Sequence, residues 1–144
     1  MTLRAPKYST FITSIVMAGC LVSAMALAGT ASSPQKEILT QYAAETGGIA
    51  ALSAERGRHF FLARPASGKS ETPSCTSCHT NSPFKDGQTR AGKTIAPMAL
   101  SKTPDRYSDP KKIEKWFRRN CKSVLGRVCS TREKGDFILF MTSQ

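Results

Sequence analysis

The sequence predicts an all-α domain of about four short helices. Apolar residues recur at helical spacing in four segments, each bounded by a recognisable cap or breaker. No stretch of useful length alternates apolar with polar residues. Residues 64–108 are rich in Pro, Ser and Thr and read as loops with one short helical turn. At 144 residues a single domain is expected, and a hydrophobic fraction of 40% excludes wholesale disorder.

The first segment reads as an address. Arg4 and Lys7 precede an apolar run from Phe11 to Ala28, and Ala26-Leu27-Ala28 offers small residues for cleavage. A signal peptide over 1–28 follows, cut after Ala28 or alternatively after Ala31, with 29–144 as one domain delivered to the periplasm. An uncleaved membrane anchor is the alternative, weakened by Thr13, Ser14, Gly19 and Ser23 within the run. A lipoprotein site at Cys20 fits less well, because the chain stays apolar after it. The whole chain has 21 Lys plus Arg against 10 Asp plus Glu, a formal charge of +11. Removing 1–28 leaves 19 basic residues against 10 acidic ones, a charge of +9, and reduces five cysteines to four.

The first helix spans Glu37 to Ala51, with Ile38, Leu39, Tyr42 and Ala43 on one face and Gly47-Gly48 as punctuation. The second begins at the cap Ser53 and stops before Pro65. The third begins at Asp109-Pro110, cap followed by Pro at the first helical position. Its Ile113, Trp116, Phe117 and Asn120 fall at i, i+3, i+4 and i+7 and share one face. The fourth opens with the capping-box pattern Ser130 to Glu133 and carries Phe137, Ile138, Phe140 and Met141.

Chemistry concentrates in Cys75-Thr76-Ser77-Cys78-His79. Two thiols three residues apart, followed at once by histidine, form the attachment pattern of c-type haem. Each thiol adds to one vinyl group of the porphyrin, and His79 then lies where it becomes the proximal iron ligand. A thioredoxin-like pair would need a βαβ context, and zinc would need a second ligand pair with closer spacing than Cys121 and Cys129 provide. One covalent haem c is therefore expected. It would also enlarge a modest core, with Phe60, Phe61, Trp116, Phe117, Phe137 and Phe140 available to pack around it. Cys121 and Cys129, eight positions apart in an oxidising compartment, read as a disulfide.

Several residues compete for the sixth iron position. Met98 lies in a loop downstream of the attachment motif and is the residue type that a plain electron carrier uses. Met141 reads as core, and His59 as an exposed helix residue. Asn120 lies on the apolar face of its helix, where a buried amide needs a hydrogen bond or a metal.

Ala54-Glu-Arg-Gly-Arg58, Pro73-Ser-Cys-Thr-Ser-Cys-His79, Gly87-Gln-Thr-Arg-Ala-Gly-Lys93, Ile95-Ala-Pro97, Thr103-Pro-Asp-Arg106 and the run from Glu114 to Arg127 together resemble the SHP-type cytochromes c. These are oxygen-binding, high-spin members of the class I cytochrome c fold, and the likeness extends from about Glu37 onward. The resemblance implies that Asn120, directly before the first cysteine of the Cys121–Cys129 loop, is the sixth ligand. It implies that this Asn leaves the ferrous iron and opens a site for O2, NO or CO. It further implies electrons from a dihaem cytochrome c, with a membrane cytochrome b nearby in the pathway. Met98 stands where at least some members carry a non-ligating apolar residue, so permanent His79/Met98 ligation is the alternative.

Lys111, Lys112, Lys115, Arg118, Arg119, Lys122 and Arg127 crowd the stretch around Asn120. Singly they read as a solvated face. Together they would steer an acidic redox partner rather than nucleic acid, in a protein monomeric by default. Such a site, fed with electrons, would reduce its bound ligand, with the iron rather than a catalytic side chain carrying the chemistry.

Overall fold

Each main helix starts where a side chain satisfies its first free amide groups. In the computed structural model, Ser33 caps α1 (Pro34–Ala44), Ser53 caps α2 (Ala54–Leu62), Asp109 caps α4 (Pro110–Leu125) and Ser130 caps α5 (Thr131–Thr142). At α5 the box is complete, since Ser130 accepts from the Glu133 amide and the Glu133 carboxylate accepts from the Ser130 amide. The description covers residues 1–2 and 32–144. The proposed signal segment, its two cleavage points and Cys20 lie outside the described residues.

Two expectations need correction. The first helix does not run from Glu37 to Ala51: α1 begins at Pro34 and ends at Ala44, and Ile49–Ala51 forms a separate 3-10 turn. Gly47 and Gly48 sit at φ of 96° and 95°, a left-handed conformation that breaks the helix between them. Residues 64–108 hold more than loops. They contain the expected short turn, α3 (Thr76–His79), which makes five α-helices among the described residues where four and a turn were expected, and also an antiparallel pair, β1 (Gly87–Gln88) with β2 (Thr94–Ile95). Gly87 pairs with Ile95, and Gln88 with Thr94.

The core lies between α1, α2 and α5, where Ile38, Leu39, Phe61, Ile138 and Met141 are buried. Helices α2 and α5 cross at Gly57, where a Cβ would collide with the Asp136 carbonyl. Asp136 itself is buried and accepts from Ser53 N at 2.6 Å, Arg56 Nε at 2.7 Å and Arg56 Nη2 at 2.9 Å. Helix α4 closes with Gly126 at φ 70°, its Cα so near Ser67 O that a Cβ would not fit. Among the described residues no helix is long and apolar enough to cross a membrane.

Candidate functional site

The attachment turn is shaped by its preceding serine. Ser74, almost fully buried, accepts from the Ser77 amide at 3.1 Å and shares hydrogen bonds with the hydroxyls of Thr76 and Ser77. The Cys78 and His79 amides both donate back to Cys75 O, which winds α3. Thr80, at φ 59°, ends it. Beneath the turn, Gly87 of β1 packs so close to Cys78 O that only glycine fits.

Cys75 and Cys78 are free thiols, and both line a cavity of about 990 Å³ together with His79. Burial pushes the Cys75 thiol up to about 11, so it lacks the low-pKa thiolate of a thiol–disulfide enzyme. Cys121 and Cys129 are bonded to each other, with Cα atoms 5.6 Å apart, so neither completes a zinc site with the first pair. Burial first, and the Arg106 charge second, push His79 down to about 4. Its imidazole is thus neutral at neutral pH, with a lone pair available to a metal. His79 Nδ1 is buried without a hydrogen-bond partner. Two free thiols, a neutral histidine and a large cavity beside them fit a covalently held haem.

The remaining walls come from separate parts of the chain. Helix α4 presents Ile113, Trp116, Phe117 and Asn120, so the face inferred from the 3.6-residue repeat is the face that meets the cavity. Helix α5 adds Phe137 and Ile138, and α2 adds Phe60. Three details differ from expectation. Asn120 is exposed on this wall rather than buried, Trp116 is 48% exposed, and Phe61 and Phe140 belong to the protein core rather than to the cavity. No described residue hydrogen-bonds to the Asn120 carboxamide. The Arg119 guanidinium stacks over Trp116 at 5.3 Å from the ring centroid.

Met98 also lines the cavity, but from the segment tied to the attachment turn. Ala99 N donates to Pro83 O, and Ile95 pairs with Gly87 beneath Cys78. Three side chains then grip consecutive carbonyls of this loop. Arg106 donates to Ala96 O and Pro97 O, Thr103 to Pro97 O, and Tyr107 to Met98 O. Tyr107 does so at φ 60°, a conformation rare for an aromatic residue. No local pattern in Thr103–Tyr107 signals this task, because the carbonyls it grips lie six to ten residues earlier. His59 is exposed and beside Glu55, and Met141 is fully buried, as read. The seven basic residues from Lys111 to Arg127 are all exposed.

Comparison with known proteins identifies the group. Residues 47–141 match a family model described as a domain of unknown function, DUF1924, to which the chain belongs. Over 133 residues, 92% of this chain and all of the relative, it is 44% identical to the cytochrome c-type protein SHP of Cereibacter sphaeroides. Over 89 residues, 61% of this chain and 62% of the relative, it is 34% identical to cytochrome c'' of Methylophilus methylotrophus. The structure of oxidized SHP, described as an oxygen-binding cytochrome c, superimposes with a TM-score of 0.73, covering 79% of this chain and 100% of that one. The crystal structure of oxidized cytochrome c'' gives 0.64 at 30% identity, covering 77% of this chain and 94% of that one. A neutral, half-buried histidine, two free thiols at the attachment spacing and 44% identity to SHP over that protein's whole length lead to one conclusion: the chain belongs to the SHP family of cytochromes c, all-helical proteins with one haem c.

Proposed function

We propose that this protein is a periplasmic cytochrome c that binds O2 or NO at a sixth iron position opened by release of Asn120 on reduction. The haem supplies a redox iron whose ferrous state takes diatomic ligands. His79 supplies the proximal ligand, kept neutral by its burial. Asn120 would offer the iron a hard oxygen donor, which suits ferric iron better than ferrous iron and would bind the reduced metal more weakly. One observation carries the reading: the Asn120 carboxamide stands on the α4 wall of the cavity, tied to no described residue. Met98 competes poorly, because it is packed into the apolar core and the carbonyls of Ala96, Pro97 and Met98 are all gripped.

The relatives support the same reading. SHP is described as oxygen-binding, and a solution structure of cytochrome c'', 30% identical with a TM-score of 0.61, bears on haem-ligand detachment. Electrons come from an acidic redox partner, a dihaem cytochrome c with a membrane cytochrome b nearby. Lys112 on the cavity wall and Arg119 over the lining ring of Trp116 steer it, with on-rates that fall as salt rises. Reduction of the bound diatomic is the activity such an electron-fed site serves.

Carbon monoxide provides the test. The ferrous spectrum changes on adding carbon monoxide, whereas an iron closed by His79 and Met98 does not respond. Asn120→Ala alters the ferric spectrum and Met98→Leu leaves it unchanged. The reverse pattern assigns the sixth position to Met98 and removes the proposal.

A further inference from the structure

Helix α4 carries a single acidic residue among many cations, and both oxygens of that residue are engaged. Glu114 Oε1 accepts from the Tyr42 hydroxyl of α1 at 2.7 Å, and Oε2 accepts from Lys134 Nζ of α5 at 2.7 Å. Lys134 is only 18% exposed, so this bridge is partly sheltered. Three residues along, the Phe117 ring meets Tyr42 edge-on at 6.4 Å between centroids and Phe137 at 5.5 Å. The same two helices therefore grip α4 twice within one turn, by a polar bridge and by an aromatic contact. Asn120 follows three residues after Phe117, and the Cys121–Cys129 disulfide anchors the chain immediately beyond it. Asn120 is held between these two attachments.

We propose that Glu114 is a positioning residue for Asn120: its bridge to Tyr42 and Lys134 fixes how α4 stands across the cavity, and so how strongly the Asn120 carboxamide competes with an incoming ligand. The inference rests on the reading of Asn120 as the sixth ligand. The apparent affinity of an external ligand equals its intrinsic affinity scaled by the fraction of molecules whose sixth position is open. Loosening the bridge raises that fraction. Packing alone would make Glu114 matter for stability, but it would not make its effect depend on Asn120.

The test is a titration of the ferric holoprotein with imidazole, followed by absorbance, in the wild-type chain and in Glu114→Gln and Tyr42→Phe. Tyr42→Phe keeps the ring against Phe117 and removes only the hydroxyl, so it retains the fold. Imidazole binds about 3- to 10-fold more tightly in Glu114→Gln, the range expected for loss of one charge-assisted bridge. Tyr42→Phe moves in the same direction by less. When Asn120→Ala is added, the Glu114→Gln effect disappears. An unchanged affinity in Glu114→Gln, or an equal shift with and without Asn120, overturns the proposal. An unchanged ferric spectrum in Asn120→Ala itself is a separate outcome, which removes the sixth-ligand reading and this inference with it.

Discussion

The pair Arg56–Asp136 offers a prediction with an unusual asymmetry. The Asp136 side chain is 5% exposed and the Arg56 side chain 51% exposed, although they share two hydrogen bonds of 2.7 and 2.9 Å. Arg56→Ala leaves a buried carboxylate with only the Ser53 amide. Removing one partner of a fully buried pair costs about 3–5 kcal/mol, and water entering the half-exposed space lowers this to about 2–3 kcal/mol. Asp136→Ala leaves Arg56 free to turn into water while keeping its bond to Ala51 O. What remains unpaired is the Ser53 amide, so the cost is about 1–2 kcal/mol. Arg56→Ala should therefore destabilise more than Asp136→Ala, and the double variant should cost less than the sum of the two. Chemical denaturation of the holoprotein, with all three variants at one pH, measures this. At about 4 °C per kcal/mol for a domain of this size, thermal midpoints separate visibly too. A larger loss for Asp136→Ala, or full additivity, would refute the reasoning.

Two further predictions concern the ends of the site. Gly87→Ala pushes a methyl group into Cys78 O and toward His79 Cα, so it should cost about 1–3 kcal/mol and perturb the ferric spectrum. An unchanged denaturation midpoint and spectrum would show that the turn yields freely. Near the disulfide, the Arg127 guanidinium, bonded to Glu133 at 2.7 and 2.8 Å, holds the Glu133 carboxyl below the usual glutamate range despite partial burial. A carboxyl depressed on folding contributes stability above its unfolded pKa of about 4.3 and loses it as pH falls through the folded value. Because Arg127 is 55% exposed, that contribution is about 1 kcal/mol or less. Glu133→Gln should flatten this part of the acid limb in melts taken at falling pH, and an unaltered limb would exclude Glu133 as its source.

Helix starts were legible because capping is local: Ser53, Asp109 and Ser130 each lie within three residues of the amide they satisfy. The attachment motif was legible for the same reason, since both thiols and His79 fit in five positions. Two-residue strands such as β1 and β2 are too short to show a period. Arg56–Asp136 and Tyr42–Glu114 join positions 80 and 72 apart, and no local pattern links such partners.

Asn120 is the most instructive case. Helical spacing placed it correctly with Ile113, Trp116 and Phe117, but a shared face was taken to be a buried one. Periodicity reports which residues point the same way and not what they point at. On α5 the apolar face meets protein, where Phe140 and Met141 are buried. On α4 the wall faces the cavity beside His79, leaving Trp116 half exposed and the Asn120 amide without a partner among the described residues. An amide on an otherwise apolar face would be a defect in a helix made for core packing. On a wall that faces the cavity beside His79 it is a polar group open to a bound cofactor, which is the role proposed for it, and the mixed character of α4 suits a helix that packs on protein at one point and lines a site at another.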